Sequence, residues 1–261
     1  MNLAANLRVI GALGARSVKQ TLRRPQLLAP IIVFPSLLLA IQTGGAGRAV
    51  DLPDFPPVHG FLDFMLAGAM IQSTLLAGNS GGIALAVDIE MGFTDRLLAA
   101  PIARFAIVLG RLAGTAVLGA LSAVWFIAIG LIFGAQIQEG VVGVLVMVLF
   151  VTLSAIAFGG LGAAIALRTG RASVVQGLFP LVFVILFLSS AFFPDDLMLE
   201  PAATIAQYNP LSFIVEGIRD PVISSLSVRH LLEALGSITL IGAVSIWLSA
   251  VALRRRLRLG G

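Results

Sequence analysis

The sequence predicts an all-α integral membrane protein. Three observations carry that prediction: an apolar composition, six long apolar stretches and a one-sided distribution of basic residues. Of 261 residues, 58% are hydrophobic and only 11% are charged, under half the share of roughly 25% in an ordinary soluble domain. Mean hydropathy is +1.03. A soluble fold of this size has too much surface to hide such a composition.

A helix needs about 20 mostly apolar residues to cross a bilayer core. Six stretches approach or exceed that length: 27–43, 61–87, 112–134, 141–167, 174–193 and 231–253. The first is the shortest and contains Pro30 and Pro35, which membrane helices tolerate. An even number of crossings puts both termini on one side, and the basic residues say which. Arg8, Arg16, Lys19, Arg23 and Arg24 precede the first stretch, and Arg96, Arg104 and Arg111 follow the second. Arg168 and Arg171 follow the fourth, and Arg254, Arg255, Arg256 and Arg258 follow the sixth. Only Arg48, Arg219 and Arg229 fall on the opposite side. Basic residues gather in cytosolic loops, so both termini are expected in the cytosol. The pI near 10.9 then reflects topology and membrane lipid, and no nucleic-acid partner is expected.

Two segments are expected not to cross. Residues 1–26 form an amphipathic interfacial helix ahead of a six-span domain at 27–261. At about 100° per residue, Arg8, Arg16, Lys19 and Arg23 share a sector of roughly 80°, with Leu3, Leu7, Ile10, Val18 and Leu22 opposite. On the outer side, residues 193–230 are apolar but broken at Asn209-Pro210, and proline disfavours helix in the residue before it. A pair of short re-entrant helices is expected between spans five and six. Glu216 and Arg219 stand three apart on one helical face and can pair there. Small residues at four-residue spacing (Gly78 and Gly82, Gly110 and Gly114, Gly130 and Gly134, Ala155 and Gly159) allow close helix packing in lipid. The N-terminus shows no pattern of a cleavable signal peptide.

The residue census narrows the chemistry. There is no cysteine, and the single lysine, Lys19, follows Val18, so no Gly-Lys-Ser/Thr phosphate loop is present. His59 and His230 are far apart, and no metal site is expected. An intramembrane serine protease would use Ser80 in "GNSG", but Ser80 lies about 28 Å below the outer face, where His230 sits. An ion-coupled secondary transporter would carry charged residues at midplane, and the span interiors are nearly uncharged.

One short charged segment stands out after the second span, "EMGFTDRLLAAPIAR" at 90–104. With its Glu90, Gly92, Arg96-Leu97-Leu98 and Pro101, it resembles the cytosolic signature of type-2 ATP-binding-cassette permeases. A second stretch, "FFP" ending in Phe193 and Pro194 and then "NPLSFIVEGIR" from Asn209 and Pro210 to Glu216 and Arg219, resembles the outer segment of the same family. The drug-resistance exporters, daunorubicin-resistance permeases among them, are the nearest in kind. The resemblance implies a transport subunit of a bacterial cytoplasmic-membrane exporter. It is not an enzyme by itself and moves a hydrophobic or amphipathic compound outward. Two permeases, identical or homologous, would pair above two separate ATPase subunits, which bind ATP and Mg; this chain would carry no cofactor. Residues 90–104 would form a coupling helix against an ATPase. Glu90, Asp95 and Arg96 would supply polar contacts, Phe93, Leu97 and Leu98 an apolar anchor, and Pro101 a fixed bend, with Gly92 and Arg104 in the same coupling segment.

Overall fold

A computed structural model describes residues 3–23, 25–94, 97 and 104–259. Among the described residues there is no strand. The helices, in chain order, are α1 (Leu3–Leu22), α2 (Pro25–Ala46), α3 (Phe61–Glu90), α4 (Arg104–Ile132), α5 (Gly140–Thr169), α6 (Ala172–Gly177), α7 (Phe179–Phe187), α8 (Ala202–Tyr208), α9 (Pro210–Ile223) and α10 (Val228–Leu259). A short 3₁₀ turn, Gly47–Asp51, extends α2.

Five of these helices are long and apolar enough to cross a membrane: α2 with its 3₁₀ turn, α3, α4, α5 and α10. The stretch expected as the fifth of six spans, 174–193, departs from expectation. It is two short helices, α6 and α7, which meet at Leu178, and the chain turns from Leu188 onward. Gly177 favours an end to α6, and Pro180 in the first turn of α7 has no N–H to continue it. At 1.5 Å per residue, residues 172–187 reach about 24 Å, short of a hydrocarbon core of about 30 Å.

The bundle is organised around α3, which is buried along most of its length. It meets α5 through glycine. A side chain added at Gly78 would meet Phe158 and the Gly159 nitrogen, and one added at Gly82 would lie 2.7 Å from the Gly162 Cα. Partner numbers rise together along both helices, so α3 and α5 run in the same direction with their backbones in contact. In lipid, where apolar surface gains nothing by leaving the solvent, this close contact supplies the packing energy.

α1 lies against α4 by a strip of small residues. Gly14, Ser17 and Thr21 are buried, facing Gly110, Ala113 and Gly114. This strip lies within the apolar face read from the sequence, since by helical angle Gly14, Ser17 and Thr21 share the sector of Ile10. The flank of that face is open, with Leu7 and Leu22 60% and 51% exposed. On the basic side Arg8, Lys19 and Arg23 are exposed.

The α3–α5 contact gives a direct test. Gly82→Ala forces a methyl group into backbone that cannot step aside, and overpacking of this kind costs about 1–3 kcal/mol. Reduced membrane abundance and a lower melting temperature in detergent are the expected result. Gly236→Ala, at a position with no atom within 4 Å, should leave both unchanged.

Candidate functional site

Two polar constellations occupy opposite ends of the bundle, called inner and outer after the sidedness expected from the basic residues. At the inner end, α3 stops where Gly92 adopts φ 68°, a left-handed conformation that glycine accepts without strain. The Met91 N–H donates to Val87 O and the Gly92 N–H to Ile89 O, closing the helix. The Glu90 carboxylate accepts from the Ala172 N–H at 2.8 Å and so binds the start of α6. Phe93 lies under the Arg16 guanidinium, 3.7 Å from ring centroid to charge, a cation–π contact between the segment and α1. Leu97 lines a narrow crevice with Leu13, Leu85 and Thr94. Asp95, Arg96, Leu98 and Pro101 lie outside the described residues, and Arg104 is the first residue of α4.

Sequence reasoning missed the strongest interaction of this region. Asp88, 3% exposed, is ion-paired with Arg111 of α4, and Arg16 stands 3.9 Å away. Arg111 also donates to Gln20 Oε1 at 3.1 Å and to Ala84 O at 2.9 Å. The signal was slight: one acid and one base, each at the very edge of an apolar stretch, need each other once out of water.

At the outer end, Asn209 starts α9. Its Oδ1 accepts from the Leu211 N–H at 2.9 Å, the arrangement of an N-cap. Its Nδ2 donates to Ile185 O and Leu188 O at 2.8 and 2.9 Å, which fastens α9 to the end of α7. Pro210 takes the first helical position, where a missing N–H costs nothing. Seven residues further on, Glu216 and Arg219 are ion-paired at 2.6 Å. Arg219 is 4% exposed. It donates to Ser190 O (2.8 Å), Ala191 O (3.3 Å) and Phe64 O (3.3 Å) and stacks over the Phe64 ring at 3.8 Å. The Ser190 hydroxyl donates to Glu216 at 2.7 Å. Burial pushes the guanidinium below its ordinary pKa, and the charges of Glu216, Asp195 and Asp220 oppose that shift. Asp220 holds His230 Nδ1 at 2.8 Å and accepts from the Ser227 N–H, tying α9 to α10. Pro194 is buried and Phe193 is 55% exposed.

Two cavities lie along the bundle. One of about 330 Å³ is apolar, with Leu75, Phe158, Val182 and Ile241 in its wall and Asn79 and Asn209 as its polar groups. The other, about 320 Å³, opens beside Asp195, Glu216, Arg219 and His230. Among the described residues, no three His, Cys, Asp or Glu side chains are placed to hold a metal. Ser80 lies beside Gln20, Arg111 and Thr115. It is sixteen residues along α3 from Phe64, about 24 Å, and His230 is at the Phe64 end, engaged with Asp220. No serine–histidine pair forms there.

The outer ion pair yields a prediction. Glu216→Ala leaves a buried guanidinium without its counter-charge, which costs about 3 kcal/mol or more, and should lower abundance and thermal stability. Replacing Glu216 and Arg219 together by Gln should cost less than the two single changes added, because the members of a pair are coupled. A double-mutant cycle on melting temperature checks both statements.

The comparisons with known proteins agree with this arrangement. Residues 8–222 match the model of the ABC-2 type transporter family. A chain of Porphyra purpurea whose name assigns it as transport permease ycf38 is 28% identical over 212 residues, covering 80% of this chain and 72% of its own length. A similarly named chain of Cyanophora paradoxa is 27% identical over 77% of this chain and 69% of its own. The daunorubicin resistance ABC transporter permease protein DrrB1 of Streptomyces coeruleorubidus is 24% identical, over 75% of this chain and 68% of its own. With five membrane-spanning candidates and a match over most of its length, the chain belongs to the ABC-2 type transporter family, as a multi-pass transmembrane permease.

Proposed function

We propose that this chain is the membrane half of an exporter that carries a hydrophobic or amphipathic compound out of a bacterial cell. ATP, with Mg, is hydrolysed on two copies of a separate ATPase subunit, and a second copy of this chain or a homologue completes the pathway. Both termini are cytosolic in this reading, and 174–193, the broken pair α6–α7 with the turn that follows it, completes the six crossings as the fifth. The outer helices α8 and α9 dip into the outer leaflet. Residues 90–104 meet the ATPase.

The observation that carries the proposal is the position of that segment. It joins the inner ends of α3 and α4, the central helix and its neighbour. Glu90 and Phe93 at its start are bound to α6 and α1. A cytosolic motor acts on a membrane domain only through something rigid that projects toward it, and the start of this segment is held by two other helices. The apolar 330 Å³ cavity supports a greasy cargo, as does the name of the daunorubicin-resistance relative. An ion-coupled transporter is less well supported. Asp88, the acid at the inner end of α3, is committed to an ion pair.

Two experiments test the proposal. The chain contains no cysteine, so single introduced cysteines report topology without background. Cysteines at Ala99 and Gly260 should react only in permeabilised cells, and one at Ala202 should react with an impermeant reagent from outside. Labelling of Ala99 in intact cells defeats the coupling assignment. Separately, Arg96→Glu and Leu97→Ala should keep normal membrane abundance while ATPase copurification falls by about thirtyfold, as expected when an interface anchor contributing about 2 kcal/mol is lost. Full copurification with both variants refutes docking at this segment.

A further inference from the structure

We infer that Asp88 is a positioning residue for energy transmission: its ion pair with Arg111 closes the base of the 90–104 segment, so that α1, α3 and α4 respond to the motor as one body. The inference rests on the reading of that segment as the ATPase contact.

The geometry is that of a staple. Asp88 stands two residues before the end of α3, and Arg111 stands seven residues, two turns, inside α4. Their ion pair therefore spans the two helices from which the segment emerges. A loop held only by its chain ends absorbs a push by bending. With its two stems joined by buried opposite charges, the push goes into the helices. Arg111 extends the joint to α1 through Gln20, and the Ser17 hydroxyl donates to Arg111 O at 3.1 Å. Arg16 closes the ring, since it faces the Asp88 carboxylate and also covers Phe93 inside the segment.

The dielectric setting favours this role. The side chains of Asp88 and Arg111 are 5% and 10% exposed, so their attraction is little screened by water or salt. Arg16, 44% exposed, is the weaker strut. A charge pair held away from water has few alternative partners, which is what a part needs if it must keep its shape under load.

The test needs no knowledge of the cargo. The full permease carrying a cysteine at Ala202 is purified with its ATPase subunit and placed in liposomes, and labelling by an impermeant maleimide is followed before and after trapping with ATP and vanadate. The unchanged chain should show a nucleotide-dependent change in labelling rate. Asp88→Asn, which keeps size and removes charge, should retain the ATPase subunit and its hydrolysis but lose about tenfold of that response, a coupling loss within the range of residues that link distant sites. Asp88→Glu should retain most of it. If Asp88→Asn does not accumulate, the exchange variant Asp88→Arg with Arg111→Asp takes its place, and a restored response supports the pair. A full response from Asp88→Asn with ATPase bound overturns this inference alone. Response and abundance lost together in both Asp88→Asn and the exchange variant reduce the pair to a folding contact and overturn it too. Failure of the unchanged chain to retain an ATPase subunit removes the parent reading, and this inference with it.

Discussion

The Arg219 guanidinium is the charge around which the outer end of the protein is built. It is buried, so every one of its donors must find an acceptor or the fold loses free energy. The acceptors come from three places: Phe64 O at the top of α3, Ser190 O and Ala191 O in the turn after α7, and Glu216 one turn back on α9. Two of these segments are helices, whose backbone groups bond within themselves, and the third is a turn, so a side chain has to join them. The turn from 188 to 194 in particular has its carbonyls pointed at a cation and at Asn209. One side chain thus does for this region what a sheet does in a soluble protein, gathering unrelated stretches of chain by giving their polar groups a common partner.

Much of this was legible in the sequence, and the remainder was not, for identifiable reasons. Long apolar runs located α3 and α5 to within three residues and α4 and α10 to within eight, because a bilayer imposes length and charge rules that act locally. The partnership of Glu216 with Arg219 was legible for the same reason, being an i,i+3 relation within one helix. The bond from Glu90 to Ala172, the pair of Asp88 with Arg111 and the pair of Asp220 with His230 join residues far apart in the chain or across a turn. Periodicity carries no information about such partners. The break in α6–α7 was written in Gly177 and Pro180 but was masked by the hydropathy of the run around it. On α1 the residues that make the closest contacts, Gly14, Ser17 and Thr21, were not picked out by hydropathy, because what brings them against α4 is their small size.

The two ends use charge differently. Outside, Arg219 is surrounded mainly by backbone carbonyls, which are fixed dipoles that hold one geometry. Inside, Asp88 and Arg111 rely on each other and on long side chains, Arg16 and Gln20, from the interfacial helix. The outer arrangement suits a cap that keeps its form. The inner one suits a joint, since long side chains can follow modest helix shifts without breaking contact.

The glycine contact between α3 and α5 has a mechanical consequence. Gears that mesh through teeth can slip by one tooth, and helices that interdigitate through large side chains can do the same, moving from one set of rotamers to another. At Gly78, Gly82 and Gly162 there are no teeth: backbone rests on backbone. With no long side chains between them to change rotamer, α3 and α5 move as one piece, the chassis of the permease. Whatever moves during a cycle must move against that chassis.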